Sequence, residues 1–419
     1  MDNPKTIIIV GGGFAGLQLI RKLKSTNYNI ILIDRFNHHQ FQPLLYQVAS
    51  SQLEPSSISF PFRKIFQKYK NIHFRLAEVT SINQENNSLE TNTGTFTYDY
   101  LVIASGCKTN FFGNNEIMNN AFVMKTTQNA IDIRNNILLS FEKLFSISEE
   151  EKEYYLNIVI VGAGPTGVEL SGALAEMKRY ILPKDYTDFD FTKLNIILIE
   201  GSKNTLNNMS ETAKKASRKY LDKLGVTIKT ELYVKNYDGK IATLSNNESI
   251  KSKNVIWAAG VTGNLIDGIS SDFITKTNRY KVDRFNKIIN TQNIFAIGDI
   301  AYMETPKYPN GHPQVANTAI NQGKILARNF RKILLNKQLE KYEYNDLGSM
   351  ATIGKHKAVV DFPFLQFKGN FAWYLWMFLH LMLILSVRNK LFIFLNWAWS
   401  YFTADSSLRL ILGNKNSKN

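Results

Sequence analysis

Two glycine-rich motifs, each placed between an apolar strand and a helix, constrain the fold of this chain more than any other feature. The first follows the apolar residues 6–10 and consists of Gly11, Gly12, Gly13, Phe14, Ala15 and Gly16. A second apolar run, residues 30–33, ends in Asp34. In this pattern the glycines form a tight turn, admit a pyrophosphate and let the helix pack on the strand, while the acid binds a ribose hydroxyl. We therefore predict a dinucleotide site, with a purely structural turn as the alternative.

The second motif repeats this arrangement in the middle of the chain. It follows residues 158–161 and consists of Gly162, Ala163, Gly164, Pro165, Thr166 and Gly167. The next apolar run, residues 196–199, ends in Glu200 after an insertion at 178–192. A carboxylate at this position repels a 2′-phosphate, which favours NADH over NADPH, although Lys203 nearby weakens that inference. Two such units indicate two dinucleotides, a tightly held FAD and an exchanging NADH.

Three further strands end in small residues that let a ligand come close. The first ends in Ala104, Ser105 and Gly106, and its later counterpart ends in Ala259 and Gly260. The third, residues 293–297, ends in Gly298 and Asp299. We predict that Asp299 bonds the ribityl chain of a flavin; the alternative is an N-cap for the turn that follows.

Cysteine usage and charge exclude several classes of function. The chain has one cysteine, Cys107, among 419 residues. An internal disulfide, a Cys-rich zinc or iron–sulfur site and a paired dithiol are therefore excluded. His38 and His39 have no metal-ligand spacing, so no metal site is predicted. The formal net charge of +15 suits an anionic partner, but no nucleic-acid-binding motif accompanies it.

In this order the motifs resemble those of the two-dinucleotide flavoprotein disulfide reductase superfamily. Residues 37–63 (NHHQFQPLLYQVA…LEP…FPFR) resemble the signature of its type II NADH:quinone oxidoreductases, also called alternative NADH dehydrogenases. The resemblance extends across essentially the whole chain, including residues 350–354. Because disulfide reductases and sulfide:quinone reductases use paired cysteines, the single Cys107 excludes those branches unless a partner supplies thiols.

The resemblance implies an α/β fold with two Rossmann-like dinucleotide-binding domains and a C-terminal membrane-anchoring helical region. The FAD domain is expected to be split in sequence by the NADH domain. The segments implied are residues 1–112 and 276–344 for FAD, 113–275 for NADH, and 345–419 for membrane anchoring and dimerisation.

The resemblance also implies roles for single residues. Glu169 is expected to act in NADH placement or in proton delivery to a quinone; the alternative is an acid in the first helical turn that complements the helix dipole. The FAD contacts extend to Arg35, Val79 and Ala316. The quinone contacts implied are Gln47, Ala316, Asn317, Ala319 and Ile320. The family pattern has Gln where this chain has Asn317 and Asn321. The Asn amide is one methylene shorter, so a water could bridge it to the quinone; the alternative is that these amides cap or satisfy the local backbone.

The C-terminal segment is rich in aromatic and basic residues. Residues 371–402 hold eleven aromatic side chains, including four of the five tryptophans. From residue 364 onward there is one acid, Asp405, beside Lys368, Arg388, Lys390, Arg409, Lys415 and Lys418. No uninterrupted apolar run reaches the ~18 residues that a spanning helix needs. Two short apolar helices with basic edges therefore predict an interfacial anchor, and a dimerisation hairpin or plain core is the alternative.

Together with these features, the resemblance implies a flavoenzyme that passes a hydride from NADH to FAD and two electrons to a quinone of the menaquinone or ubiquinone class, without proton pumping. We expect a homodimer on the inner, cytoplasmic face of the cell membrane, with no nucleic-acid partner and no secretory signal. The alternatives are a soluble NADH:ferredoxin or rubredoxin reductase of the same superfamily, which would not need the aromatic tail, and an apoptosis-factor-like flavoprotein with a signalling role.

Overall fold

The computed structural model describes residues 3–403 and 408–412, and the chain forms two compact units. Unit 1 comprises Met1–Gln40, Phe60–Lys108 and Val261–Asp346. Unit 2 comprises Phe41–Ser59, Thr109–Gly260 and Leu347–Asn419. Each unit therefore contains one of the two glycine motifs. The domain boundaries given by the resemblance remain a prediction.

The α-helices, in chain order, are α1 (Phe14–Leu23), α2 (Leu45–Ala49), α3 (Phe62–Phe66), α4 (Asn115–Asn120), α5 (Thr127–Lys143), α6 (Glu149–Leu156), α7 (Pro165–Glu176), α8 (Leu182–Asp185), α9 (Glu211–Leu224), α10 (Ala316–Leu334), α11 (Asn370–Leu383) and α12 (Val387–Thr403).

The strands are β1 (Thr6–Val10), β2 (Asn29–Asp34), β3 (His38–Gln40), β4 (Ser59–Pro61), β5 (Ile72–Leu76), β6 (Val79–Asn83), β7 (Ser88–Thr91), β8 (Gly94–Thr97), β9 (Tyr100–Ile103), β10 (Cys107–Thr109), β11 (Phe122–Val123), β12 (Asn157–Val161), β13 (Asn195–Glu200), β14 (Thr227–Thr230), β15 (Val234–Tyr237), β16 (Ile241–Leu244), β17 (Ser249–Lys251), β18 (Asn254–Trp257), β19 (Val261–Gly263), β20 (Tyr280–Lys281), β21 (Ile294–Ala296), β22 (Ala301–Tyr302), β23 (Ser349–Thr352), β24 (Ala358–Asp361) and β25 (Gln366–Gly369).

Unit 1 is built on a parallel sheet in the order β21-β9-β1-β2-β5. Its central strand β1 reads Thr-Ile-Ile-Ile-Val, and Ile7, Ile8 and Ile9 are completely buried. Such a run of β-branched residues is typical of a parallel strand covered on both faces. The order brings the carboxyl ends of β1, β9 and β21 side by side, where the first glycine motif, Ala104 and Gly298 follow. The strands predicted from the sequence in this unit are confirmed.

Unit 2 repeats the pattern with a parallel sheet in the order β11-β18-β12-β13-β14. The strand β12 is buried along its whole length and pairs with β13 and β18. A smaller antiparallel sheet, β15-β16-β17, packs its apolar side chains into the same core through residues such as Val234 and Leu244. The carboxyl ends of β12 and β18 therefore place the second glycine motif beside Ala259.

The C-terminal part of unit 2 is an antiparallel sheet, β23-β24-β25, followed by α11 and α12. Gly172, in the middle of α7, faces this sheet: a Cβ atom added there would lie 2.6 Å from the backbone N of Gly354. The glycine thus lets α7 and the turn after β23 approach closely. Asp405, Lys415 and Lys418, which entered the sequence argument, lie outside the described residues.

A short break separates the two tail helices. It falls at Ile384, whose extended backbone ends α11, and the second helix begins at Val387, so Arg388 and Lys390 lie inside it. The apolar side chains of α11 do not share one face. Trp376 is 1% exposed, whereas Phe378 is 61% exposed. Each helix has one buried edge and one broad exposed apolar face, because only the buried edge packs on the rest of unit 2.

Within the described parts of the chain, no helix combines the length and the apolar character that crossing a bilayer requires.

Helices α1 and α10 approach each other through Gly323. A Cβ atom added at this glycine would lie 2.6 Å from the carbonyl oxygen of Ala15 and 3.2 Å from the backbone N of Leu19. Because both neighbours are backbone atoms of α1, they cannot move as a flexible side chain can. The contact requires a residue without a side chain.

We therefore expect Gly323→Val to lower the free energy of unfolding by about 1 to 3 kcal/mol through overpacking. Lys324→Val is the matched control, since it places the same side chain one position away, at a half-buried site. The measurement is the thermal unfolding midpoint of each purified variant, and we expect the lower midpoint for Gly323→Val. Equal midpoints would contradict the proposed helix contact.

Candidate active site

The first glycine motif forms a turn that only glycine can make. Gly11 has φ +102°, and a Cβ atom added there would lie 2.3 Å from the carbonyl oxygen of Ala104. A Cβ atom on Gly16 would lie 2.0 Å from the carbonyl oxygen of Gly11. At Gly13, in contrast, an added Cβ atom meets no described atom within 4 Å. The turn is thus tight on its inner side and open at the start of α1.

The acid at the end of β2 reaches this turn directly. Oδ2 of Asp34 accepts a hydrogen bond from the backbone N–H of Gly12 at 2.6 Å, and Oδ1 accepts one from the N–H of Phe36 at 2.8 Å. Burial raises the pKa of Asp34, and these two backbone N–H groups oppose the rise. The carboxylate therefore lies at the glycine turn, where the fingerprint expects the ribose.

Two side chains beside this turn lie in the signature segment 37–63 but received no role from the sequence. Nδ1 of His39 lies 2.9 Å from the carbonyl oxygen of Gly12, and its ring meets Phe14 edge-on. Burial lowers the pKa of His39 to about 4, so the ring is neutral and donates this hydrogen bond. The ring of Phe62 fills the space that a Cβ atom on Gly12 would need. Both residues support the turn.

The Gly298–Asp299 pair lies next to the first glycine motif. Gly298 has φ +78°, and a Cβ atom added there would lie 3.1 Å from Cβ of Ala15 and 3.5 Å from Cβ of Ala319. Its N–H donates to Oε1 of Gln322 at 2.6 Å. The structure therefore brings together the predicted residues Ala15, Gly298 and Ala319.

Asp299 has two neighbours that sequence reasoning did not connect with it. Sγ of Cys107 donates to Oδ2 of Asp299 at 3.0 Å. The buried guanidinium of Arg279 donates to the carbonyl oxygens of Ala301 and His312. Burial lowers the pKa of Arg279, and the charge of Asp299 opposes this. The single cysteine therefore lies at the predicted flavin contact.

The second glycine motif has the same geometry. Gly162 has φ +101°, and a Cβ atom there would lie 2.9 Å from the carbonyl carbon of Ala258 and from Cα of Ala259. A Cβ atom on Gly167 would lie 1.9 Å from the carbonyl oxygen of Gly162, whereas one on Gly164 meets nothing within 4 Å. Pro165 and Thr166 open α7, which has no side-chain cap. The two motifs are structural repeats.

Glu200 occupies the position that Asp34 has in the other unit. Its Oε2 accepts from the N–H of Ala163 at 2.6 Å. Its Oε1 accepts from the N–H and the hydroxyl of Ser202, both at 2.8 Å. These bonds fix the carboxylate beside the second glycine turn, where its charge would repel the 2′-phosphate of NADPH.

A cavity of about 660 Å³ opens beside this turn. It is bordered by Gly162, Gly164, Glu200 and Gly260, and by an aromatic cluster of Phe111, Phe112, Tyr233 and Trp257. Phe112 is 69% exposed at φ +52°, a conformation that a bulky residue rarely adopts. None of these four aromatic residues was predicted to line a site, because their spacing follows no motif. Three of them lie in loops and Trp257 ends β18, and only the fold brings them together.

Glu169 lies in the second turn of α7 rather than the first, so the helix-dipole interpretation of this acid is wrong. The helix begins at Pro165 with Gly164 as its N-cap, and its first turn holds no acid. The carboxylate is 8% exposed, and Oε1 accepts from the N–H of Thr352 at 3.3 Å. Burial raises the pKa of Glu169 to about 8, and the Thr352 N–H opposes the rise.

A hydrogen-bonded chain leads from Thr352 to the C-terminal helix. The hydroxyls of Thr352 and Tyr46 lie 2.9 Å apart, and Nε2 of Gln47 donates to the Tyr46 hydroxyl at 2.9 Å. Nε1 of Trp397, in α12, donates to Oε1 of Gln47 at 2.8 Å. The predicted quinone contact Gln47 is thus a buried link between α2 and α12.

The remaining predicted contacts occupy the following places. Arg35 follows β2 and is exposed, Val79 opens β6, and Ala316, Asn317 and Ile320 lie in the first turns of α10. Nδ2 of Asn321 donates to Oδ1 of Asn317 at 3.1 Å. The two asparagines that depart from the family pattern therefore bond each other along one helix face. Their contact with a quinone remains a prediction.

The residues present fit two dinucleotides. Each open glycine, Gly13 and Gly164, leaves room for a pyrophosphate at a helix N-terminus that has no side-chain cap. The acids predicted to bind the ribose, Asp34 and Glu200, each accept a hydrogen bond from the N–H of the second residue of the turn. Within residues 3–403 and 408–412 there is no cluster of three or more His, Cys, Asp or Glu side chains that would hold a metal.

The fold and these two sites define an oxidoreductase that uses two dinucleotides. Residues 5–323 match the model of the pyridine nucleotide-disulphide oxidoreductases, and residues 347–404 match the NDH2 C-terminal domain. The chain belongs to the family of type II NADH:quinone oxidoreductases.

Similar proteins span almost the whole chain. The type II NADH:quinone oxidoreductase Ndh of Mycobacterium tuberculosis is 31% identical over 417 residues, which cover 95% of this chain and 88% of the relative. A type II NADH:quinone oxidoreductase of Staphylococcus aureus is 28% identical over 85% of this chain and 90% of its own. The solved structure of NDH2 from Plasmodium falciparum in complex with NADH has a TM-score of 0.89 at 23% identity, covering 98% of this chain and 100% of that one. That structure confirms the predicted fold.

The raised pKa of Glu169 predicts how stability depends on pH. Its carboxyl binds a proton more tightly in the folded chain than in the unfolded one, so its contribution is fully present below pH 4.5 and is lost as pH rises through about 8. We expect Glu169→Gln to remove this loss, so that its thermal unfolding midpoint falls less between pH 6 and pH 9 than that of the wild type. Glu150→Gln, at an exposed site on α6, is the control. Parallel curves for wild type and Glu169→Gln would contradict the burial of an ionisable Glu169.

Proposed function

We propose that this chain is an NADH:quinone oxidoreductase that transfers electrons from NADH through FAD to a quinone at a membrane surface. The observation that carries the proposal is the duplicated open glycine turn, with its acid, on two sheets of a single chain. The relatives whose names specify NADH and quinone supply the identity of the two substrates. The overall reaction, NADH + H⁺ + quinone → NAD⁺ + quinol, balances in atoms and charge.

The second glycine turn is the proposed NADH site. Its N–H groups at the start of α7 would face the pyrophosphate, and the aromatic cluster beside the 660 Å³ cavity offers apolar faces to the adenine. Glu200 would bond the ribose hydroxyls and repel a 2′-phosphate. The fixed bonds of Glu200 to Ala163 and Ser202 support a preference for NADH over NADPH.

The first glycine turn is the proposed FAD site, where bound FAD would supply the two-electron carrier between the substrates. Asp34 would bond its adenosine ribose and Asp299 its ribityl chain. Gln322 accepts the N–H of Gly298 and so orients the turn that presents Asp299. Ala15 and Ala319, which border Gly298, keep this region free of bulky side chains.

Glu169 is the proposed proton-holding group. Because its pKa is about 8, the carboxyl is protonated over most of the neutral range and can donate a proton to a reacting oxygen. The Thr352 N–H fixes one carboxyl oxygen. The quinone contacts proposed from the resemblance are Gln47, Ala316, Asn317, Ala319 and Ile320.

The exposed apolar faces of α11 and α12 support association with a membrane. They carry large side chains, among them Phe371, Phe378, Met382, Leu391, Phe394, Trp399 and Phe402. Lys368, Arg388 and Lys390 flank these faces and would attract anionic headgroups. A homodimer and a position on the cytoplasmic side of the cell membrane complete the proposal, in which α11 and α12 lie in the membrane interface.

The activity is tested by the absorbance of the purified, flavin-loaded protein. We expect NADH to bleach the flavin band and a short-chain quinone to restore it. Glu169→Gln should retain bound FAD and lose about 10²-fold or more in quinone-dependent turnover, as for removal of a general acid. Wild-type turnover should fall as pH rises above about 8, and the variant should lack this fall. No turnover by the wild type would refute the proposed activity, and unchanged kinetics in the variant would refute the role of Glu169.

The membrane face is tested by flotation with vesicles that contain anionic lipid. We expect the triple change Phe378→Ser, Phe394→Ser and Trp399→Ser to abolish flotation while Trp376 and Trp397 stay buried. The matched control replaces three exposed apolar residues elsewhere, Met118, Leu335 and Leu347, by serine. If the face is instead a dimer interface, the triple variant will float like the wild type, and its mass in solution will fall from dimer to monomer. That result would contradict the proposed membrane face.

A further inference from the structure

A second carboxylate, Glu176, follows Glu169 on the same face of α7. Seven residues make about two helical turns, so the two side chains point the same way at a separation of about 10 Å along the axis. Both border one cavity of about 60 Å³, together with Tyr46, Thr352 and Lys355. The lining also includes Trp373, Trp376 and Trp397, and at ~30 Å³ per water molecule the volume has room for about two.

Glu176 is held by the turn between β23 and β24. The backbone N–H of Lys355 donates to Oε1 of Glu176. Gly354, with φ +68°, brings this turn so close that an added Cβ atom would lie 2.8 Å from the same oxygen. The ammonium of Lys355 donates instead to the carbonyl oxygens of Ser400 and Tyr401 at the end of α12. The carboxyl therefore has a fixed orientation toward the cavity.

The titratable groups that line the cavity are Glu169 and Glu176 from α7, Tyr46 from α2, Lys355 from the turn and Tyr401 from α12. Helix α11 borders the cavity with the apolar side chains of Trp373, Trp376 and Met377. Burial raises the pKa of Glu176 to about 7, against the N–H and the charge of Lys355. The pKa of Tyr46 is raised by burial and then by both carboxyls, Glu169 and Glu176. The Tyr46 phenol is thus coupled to both acids and hydrogen-bonded to the Thr352 hydroxyl.

The proposed reaction needs one proton that NADH does not supply. A hydride from NADH brings two electrons and one proton, whereas reduction of a quinone to a quinol consumes two electrons and two protons. The second proton must come from water in each turnover. A buried Glu169 that donates its proton must therefore be reprotonated through the protein.

We propose that Glu176 is the residue through which Glu169 regains its proton, by way of the polar cavity and the Tyr46 and Thr352 hydroxyls. This role rests on the proposed function. Glu176 accepts a proton from the solvent side of the cavity and passes it to Glu169 through the intervening hydroxyl groups or water. It acts through Glu169 and takes no electrons, so each cycle leaves both carboxyls in their starting state.

The test uses the full-length, FAD-loaded protein in anaerobic stopped-flow measurements of the two half-reactions. Glu176→Gln keeps the side-chain shape and an acceptor for the Lys355 N–H. We expect flavin bleaching by NADH to stay within about twofold of the wild-type rate. Reoxidation by a short-chain quinone at pH 8 should slow by at least about tenfold, the lower range for a lost acid–base group. Added formate or imidazole should restore part of the rate.

Further variants distinguish a role of Glu176 in proton supply from a purely structural role. Glu176→Asp, which keeps an acid, should recover most of the reoxidation rate, and Glu150→Gln should change neither half-reaction. An unchanged reoxidation rate in Glu176→Gln from pH 6 to pH 9 would overturn the proposal, as would equal slowing of both half-reactions without rescue by a weak acid. A wild-type flavin that no quinone reoxidises would instead refute the proposed function, and with it the relay.

Discussion

The left-handed turns at Gly11 and Gly162 are the constraint on which the rest of the structure depends. The carbonyl oxygens of Gly11 and Gly162 contact the last glycines of their motifs, Gly16 and Gly167. The Cα atoms of Gly11 and Gly162 themselves lie against the backbone at the end of a neighbouring strand. A methyl group at any of these four positions would overlap backbone atoms. Each turn thus fixes the position of the following helix, with the open N–H groups at its start, relative to the parallel sheet. Asp34 and Glu200 accept hydrogen bonds from the same turns.

The sequence predicted the fold wherever a local pattern is tied to backbone geometry. The strands at 6–10 and 158–161 and the motifs after them follow from hydrophobic runs and glycine spacing, and the structure has them at those positions. The tail was less predictable. Its apolar residues are so dense that periodicity could not tell Trp376, which is buried, from Phe378, which is exposed; only packing against the rest of unit 2 decides.

The candidate site likewise has residues that a local pattern predicts and residues that only tertiary packing brings there. Residues inside the glycine motifs could be assigned from the sequence, because the backbone conformation restricts the residue type. Cys107 beside Asp299, and Phe112 and Tyr233 beside the second turn, could not be assigned, because these residues are distant in sequence from the motifs and meet them only in the folded chain. Glu169 was singled out from the resemblance, and its role stays a prediction. The structure shows that it is buried and that it lies in the second helical turn, not in the first.

The bonds of Trp397 to Gln47 and of Lys355 to the last carbonyls of α12 have an evolutionary consequence. They make the final helix part of the interior of unit 2, since its loss leaves a buried amide and a half-buried ammonium without partners. Shortening the chain after α11 would therefore remove partners from both α2 and the turn after β23. We expect Gln47, Lys355 and α12 to change together in the history of the family.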